Sequence, residues 1–78
     1  MFWAHLETRN FTFDAFGDRE SEALDALKRT WQKHARQYEV TFSWVDLKDD
    51  VSLTFIRQGD GLRDREVITS GNTPREGN

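Results

Sequence analysis

Two short segments near the start of the chain place an apolar side chain at every second position. Residues 2–7 read FWAHLE and residues 11–16 read FTFDAF, with three polar residues between them. A period of two is typical of a strand with one buried face, and a short polar break between two such runs favours a β-hairpin. We expect the inner face of this hairpin to be formed by Phe2, Ala4, Leu6, Phe11, Phe13 and Ala15.

A helical repeat follows from Arg19 to about Tyr38. Its apolar residues recur at spacings of three and four, which makes one stripe of an amphipathic helix. Asp18 is a suitable N-cap, and acidic residues in the first turn with basic residues in the later turns both suit the helix macrodipole. The stripe consists of Leu24, Leu27, Trp31, Ala35 and Tyr38, and it is widened by Ala23 and Ala26.

The second half of the chain has weaker patterns. Residues 40–45 (VTFSWV) are β-branched and aromatic and predict a strand, and residues 51–57 resume an alternation that predicts another. The acidic residues 46–50 between them predict a charged loop. Residues 62–68 predict a short edge strand or an extended segment, and residues 69–78, which lack apolar side chains, predict a flexible tail.

These elements place the chain in the α+β class, as a single domain over residues 1–68. The predicted order is ββαββ with room for a fifth strand, and one amphipathic helix packs on an antiparallel sheet. A chain of 78 residues buries a small core. Because it has no cysteine, neither a disulfide nor a thiolate zinc site can supplement that core, and its ten Phe, Trp and Tyr residues must do so.

Several functions lack their usual sequence signals. A net charge of −3 argues against a general nucleic-acid binder. With no membrane-spanning apolar run and no signal peptide, the cytoplasm is the expected location. His5 and His34 are the only histidines, and no third metal ligand stands at a recognisable spacing from either. Without a nucleophile, phosphate or dinucleotide motif, we expect no enzyme, no cofactor and no metal.

Trp3, His5 and Phe16 fall on the opposite face of the predicted hairpin from the core. Aromatic side chains are enriched at the centres of protein interfaces, so these three are the predicted apolar anchor for a partner. The alternative is that Phe42 or Trp44 folds across this face and covers it. A domain this small is expected to use every large apolar side chain that it has.

Two groups of charged residues could also take part in binding. Asp46, Asp49 and Asp50 lack the further ligands and the glycine of a calcium loop, and we expect them to form a charged loop and an acidic rim for a basic partner. The helix also carries a basic stripe at positions i, i+4 and i+7 that could follow a phosphate backbone, although a solvated helix face explains it as well. The stripe consists of Arg29, Lys33 and Arg36.

Most of the chain resembles small uncharacterised proteins of bacterial chromosomes, plasmids and phages. The resemblance rests on an aromatic first hairpin, a glycine, an acidic-capped helix that ends in Trp and His, and the later stretch LRDREVI. It implies a mobile-element context and no particular activity. The residues that carry it are Trp3, His5, Phe11, Phe13, Gly17, Ala23, Leu27, Trp31 and His34.

A second, weaker resemblance is to the N-terminal domain of HicB-type antitoxins. That family runs from strands through a glycine into a helix that begins with Glu-Ala, as do Gly17, Glu22 and Ala23 here. The proline-glycine segment of the family is missing, and no DNA-binding domain follows. The antitoxin function is therefore not transferred on this resemblance.

We therefore expect a non-enzymatic binding protein that docks on a host protein as an inhibitor or regulator, of which anti-CRISPR proteins are one class. The alternative is a nucleic-acid-binding or antitoxin-like module that uses the basic helix face. A homodimer that covers the free sheet face or pairs an edge strand is compatible with either function.

Overall fold

One long helix packs across a three-stranded antiparallel sheet, and a separate two-stranded hairpin follows. The structure is a computed structural model and describes residues 1–71. In chain order the elements are β1 (Phe2–Glu7), β2 (Thr12–Gly17), α1 (Glu20–Tyr38), α2 (Trp44–Leu47), a 3₁₀ turn (Lys48–Asp50), β3 (Ser52–Phe55), β4 (Gly61–Arg63) and β5 (Glu66–Thr69). The predicted α+β class and the order ββαββ(β) are confirmed.

β1 is the central strand of the sheet, whose order is β2–β1–β3. Both neighbours run antiparallel to it, so that Trp3 lies opposite Phe16 on β2 and opposite Thr54 on β3. The predicted first hairpin and the strand within residues 51–57 are therefore confirmed. In the part of the chain that the structure describes, β4 and β5 pair only with each other.

The core lies between α1 and the first two strands. Its members alternate on β1 and β2 and recur at helical spacing on α1, as the sequence pattern predicts. They are Ala4, Leu6, Phe13, Ala15, Ala23, Leu27 and Trp31. Phe2 and Leu24 were also expected inside, and both are partly buried at the edge of this core.

Two aromatic side chains that the pattern assigns to the interior lie at the surface instead. Phe11 is 44% exposed and Tyr38 is 56% exposed. The amide and the hydroxyl of Thr8 both donate to the carbonyl oxygen of Phe11, each at 2.8 Å, so that Phe11 belongs to the turn before β2. Its ring therefore lies against the last turn of α1, with its centroid 5.7 Å from that of Tyr38.

The start of α1 differs from the prediction by one residue. Arg19 occupies the N-cap position rather than Asp18, and the carboxylate of Glu22 accepts the backbone N–H groups of Asp18 and Arg19 at 3.1 and 3.2 Å. A Cβ at Gly17 would lie 2.6 Å from the amide nitrogen of Ala23. The close passage from strand to helix therefore requires glycine at this position.

The predicted strand at residues 40–45 is wrong, and so is the predicted loop at residues 46–50. The chain is irregular up to Ser43 and then forms α2 and the 3₁₀ turn. The carboxylate of Asp46 accepts the N–H and the hydroxyl of Ser43 at 3.0 and 3.1 Å, which closes a capped helical turn. Trp44, the first residue of that turn, packs on Trp31 with ring centroids 6.3 Å apart. Local capping and this contact override the β propensity of the segment.

Residues 62–68, predicted as one edge strand or an extended segment, instead contribute to both strands of the β4–β5 hairpin. Asp64 and Arg65 turn the chain with φ of 51° and 70°, the positive values that a tight hairpin turn needs at both of its central positions. Of the predicted tail at residues 69–78, Thr69 is the last residue of β5. Residues 72–78 lie outside the described residues.

Candidate partner-binding surfaces

The face of the sheet that points away from α1, called the outer face here, carries Trp3, His5, Asp14 and Phe16. One carboxylate oxygen of Asp14 accepts the indole N–H of Trp3 at 2.6 Å and lies 2.7 Å from Nδ1 of His5. The carboxylate cannot donate a proton, so Nδ1 of His5 is the donor in this pair. The rings of Trp3 and His5 meet edge to face at 5.5 Å. These contacts join three side chains of the outer face into one cluster.

His5 differs from the prediction that it is an exposed anchor. It is only 9% exposed, because the ring of Trp3 and the carboxylate of Asp14 both lie against it. Trp3 is half-buried, and Phe16 keeps 52% of its surface exposed. Phe16 is therefore the member of the predicted anchor that is most available to a partner.

Asp14 is a residue of this face that the sequence reasoning missed. Burial acts to raise its pKa, but the hydrogen bonds from His5 and Trp3 and the charge of His5 outweigh burial and lower the pKa of Asp14 below its ordinary value of 3.8. Asp14 is therefore an anion at neutral pH. The sequence signal that could have identified Asp14 is its position opposite His5 in the register of the β1–β2 hairpin.

The alternative that Phe42 or Trp44 covers the outer face is wrong. Trp44 packs on Trp31 and against the core on the helix side of the sheet. Phe42 is 63% exposed, and it lines a different surface.

That different surface is an open groove of about 630 Å³ between the β1–β2 turn, the second half of α1 and the segment after it. We call it the aromatic groove. The ring of His34 lines it and contacts three aromatic rings, with centroid distances of 4.7 Å to Phe11, 4.9 Å to Phe13 and 4.7 Å to Tyr38. Trp31 and Leu47 also line it. The sequence reasoning did not find this groove, because Phe11 and Tyr38 were both assigned to the core.

The mouth of the aromatic groove combines exposed rings with charged side chains. Phe42, Tyr38 and Phe11 are 63%, 56% and 44% exposed, although each belongs to the groove lining. The charged residues of the lining are Glu7, Arg9 and Asp50. The mouth therefore offers apolar area next to two carboxylates and one guanidinium.

The three predicted acidic residues do not gather beside Trp3 and Phe16. Asp46 caps α2, where the N–H and the hydroxyl of Ser43 lower its pKa. Asp49 borders a shallow depression beside α1, and Asp50 lines the aromatic groove. Of the three, Asp50 is therefore the one placed at an aromatic surface.

The predicted basic stripe is solvent-exposed. Arg29, Lys33 and Arg36 all lie on the exposed face of α1, and none of them forms an ion pair within residues 1–71. Arg29 borders a shallow depression that Phe16 also lines. The stripe is thus free to meet an anionic partner.

No family model, curated protein or solved structure matches this chain. Within residues 1–71, no three His, Asp or Glu side chains are grouped so that they could hold a metal ion, and no helix there has the length and apolar character needed to cross a membrane.

Proposed function

We propose that this chain is a non-enzymatic binding domain that docks on a protein partner through the aromatic groove. The observation that carries this proposal is the set of three aromatic rings that stay 44–63% exposed around one groove. A domain with so small a core gains stability from every large apolar side chain that it can bury. Three aromatic rings that stay exposed around one groove are therefore evidence that they contact a partner.

The exposed area favours a protein surface over a small molecule. A Phe or Tyr side chain buries roughly 150–250 Å² when it is fully inside, so the half-exposed rings of Phe11, Tyr38 and Phe42 together keep about 250–400 Å² in contact with water. Covering that area contributes about 6–10 kcal/mol before the unfavourable terms of association are subtracted. A protein surface can cover these three exposed rings together with the rest of the groove lining.

The charges at the mouth set the chemistry of the partner. The charged residues of the groove lining are two acidic side chains, Glu7 and Asp50, and one basic side chain, Arg9, so their sum is one negative charge, and the whole chain carries −3. A partner segment that inserts an apolar side chain and presents a lysine or arginine beside it complements this mouth.

The biological setting that we propose is based on the resemblance of the sequence to phage and mobile-element proteins. We propose that the partner is a host protein and that docking inhibits or regulates it, as anti-CRISPR proteins do. The second candidate function, nucleic-acid binding, is favoured by one observation, the exposed and unpaired cations of Arg29, Lys33 and Arg36 in the described part of the chain. The net charge opposes it.

Affinity capture from host lysate, with and without nuclease, separates the two functions. The test variant is Tyr38→Ala with Phe42→Ala, and the matched control is Val45→Ala, which removes an apolar side chain that is 67% exposed outside the groove lining. We expect a stoichiometric protein that survives nuclease, that the control retains, and that the double variant loses by tenfold or more, about the effect of removing one interface hot spot. The same capture is repeated at several salt concentrations.

Two results would contradict the proposal. One is equal capture by the double variant and the wild type. The other is recovery that nuclease abolishes, that falls steeply with salt, and that disappears when Arg29, Lys33 and Arg36 are changed to Glu. This second result would assign the function to the basic stripe.

A further inference from the structure

β2 forms an open edge of the main sheet. The strand order β2–β1–β3 gives it one neighbour within the described residues. It is six residues long and pairs with β1 without a register shift. Proteins protect such edges with charged side chains, above all lysine, and with proline or a bulge. Thr12–Gly17 contains no lysine, proline or bulge, and Asp14 is its one charged residue.

The hydrogen-bond pattern identifies which backbone groups of β2 point outward. Met1 and Ile56 exchange two hydrogen bonds, N to O in both directions, so the odd-numbered residues of β1 bond to β3. The even-numbered residues then bond to β2, in agreement with the bond from Thr8 to Phe11 at the turn. In the antiparallel register, Phe13, Ala15 and Gly17 therefore use their backbone groups on β1. The N–H and C=O groups of Thr12, Asp14 and Phe16 face the open edge.

The side chains of these three outward-facing residues share the outer face of the sheet. All three are exposed, and Phe16 lies beside Trp3 on the neighbouring strand. A strand added to this edge would thus meet three donors, three acceptors, an aromatic ring and one carboxylate. Strand addition uses this combination, in which the backbone bonds supply affinity and alternate side chains supply specificity.

A second copy of the chain does not suit this edge. Antiparallel self-pairing that uses all three outward-facing residues of both copies places Asp14 directly opposite the same residue of the other copy, with Cα atoms about 5.5 Å apart. Like charges directly opposite one another destabilise a strand pair. A partner strand with a cation at that position removes the repulsion and adds an attraction.

We infer that the free edge of β2 is a strand-addition site for an extended protein segment that carries a lysine or arginine opposite Asp14 and an apolar side chain opposite Phe16. This inference does not rest on the aromatic groove, because Thr12, Asp14 and Phe16 are not among the residues that line it. The carboxylate is held in place by Trp3 and His5, so the charge that selects the partner has a fixed position on the edge.

The test uses two cyclic hairpin peptides that differ in one residue. One strand of the first peptide presents Val, Lys and Thr to Phe16, Asp14 and Thr12, and the second peptide has Glu in place of Lys. Binding is followed by amide hydrogen exchange in the full chain. With the Lys peptide, the amides of Thr12, Asp14 and Phe16 should slow by about tenfold or more, while those of Phe13 and Ala15, already bonded to β1, serve as internal references.

Two variants keep the inference falsifiable. Thr12→Pro removes an outward donor at the first residue of an edge strand, where proline is tolerated, and should abolish protection. Asp14→Asn keeps a hydrogen-bond acceptor and should erase the preference for Lys over Glu, expected at about fivefold in Kd. The double variant Tyr38→Ala with Phe42→Ala should keep the peptide-induced protection of these amides from exchange. This result would show that the peptide binds at the edge of β2 and not in the aromatic groove.

Three results would overturn the inference. The first is that neither peptide protects the outward amides at millimolar concentration. The second is that both peptides bind equally well. The third is that sedimentation of the free protein shows a dimer that Thr12→Pro abolishes, because the occupant would then be a second copy.

Discussion

Removal of the Asp14 carboxylate tests whether the cluster on the outer face stabilises the fold. In Asp14→Ala the indole N–H of Trp3 and the Nδ1–H of His5 both lose their acceptor. Hydrogen bonds to charged groups contribute about 1.5–3 kcal/mol each, but the side chain of Asp14 is 39% exposed, and solvent screening reduces this. Trp3 can rebond to water, whereas the side chain of His5 is only 11% exposed. We expect a loss of about 1–2 kcal/mol at pH 7, most of it from His5.

Urea unfolding of three variants measures this loss. Asp14→Asn keeps an oxygen acceptor and loses the charge, so its free energy of unfolding should fall between those of the wild type and Asp14→Ala. Glu7→Gln is the matched control, because its carboxylate lies 3.9 Å from Nε2 of His5, too far for a hydrogen bond. It should stay within about 0.5 kcal/mol of the wild type. If Asp14→Ala and the wild type share one urea midpoint, the cluster does not stabilise the fold and the reasoning is wrong.

The pH dependence gives an independent check on the same carboxylate. The pKa of Asp14 is lower in the folded protein than in the unfolded chain. Its contribution is therefore present above the unfolded pKa and is lost as the pH falls through the folded pKa. The stability difference between the wild type and Asp14→Asn should be full at pH 5 and shrink below about pH 4. A difference that persists unchanged to pH 2 contradicts the assignment.

Two further substitutions test the packing that supports the surfaces. Gly17→Ala places a Cβ 2.6 Å from the amide nitrogen of Ala23 and should lower the free energy of unfolding by about 1–3 kcal/mol, measured by thermal unfolding against the wild type. An unchanged Tm would show that the passage from β2 to α1 has room for a methyl group. Trp31→Ala removes the side chain that packs between the sheet and Trp44 and should lower the free energy of unfolding by about 3–5 kcal/mol. Phe42 is 63% exposed, so Phe42→Ala should change the free energy of unfolding by less than about 0.5 kcal/mol. Equal losses in the last two variants would contradict the assignment of Phe42 to a free surface.

The fold of residues 1–38 could be predicted from the sequence because the apolar periodicity of each segment coincides with the set of side chains that the structure buries. Leu6 and Phe13 alternate at a period of two, and Leu27 and Trp31 repeat one helical turn apart, so the buried face of each element was fixed before any contact was known. The two residues of this region that were wrongly assigned to the core lie at element ends. Phe11 and Tyr38 continue the apolar periodicity of their segments beyond the region in which the sheet and α1 cover each other. The periodicity does not show where this packing contact ends.

Residues 40–50 could not be read in the same way because a short capping interaction decided their structure. Val40, Thr41 and Phe42 favour a strand by composition, but the Asp46 carboxylate closes a turn on Ser43. The Ser-x-x-Asp spacing was the available signal. The packing of Trp44 on Trp31 was not available, because it joins positions that no local pattern relates.

The aromatic groove and the edge of β2 meet at one point of the chain. Phe11 lines the groove, and Thr12, the next residue, begins the open edge. The two proposed sites also share one partner chemistry. Glu7 and Asp50 belong to the groove lining and Asp14 lies on the edge strand, and carboxylates are complementary to a basic residue of a partner. A single extended segment that pairs along β2 from Phe16 to Thr12 continues directly toward Phe11. If both proposals hold, the aromatic residues of the first hairpin divide between two tasks: Phe13 builds the core, whereas Phe11 and Phe16, which are 44% and 52% exposed, would contact the partner.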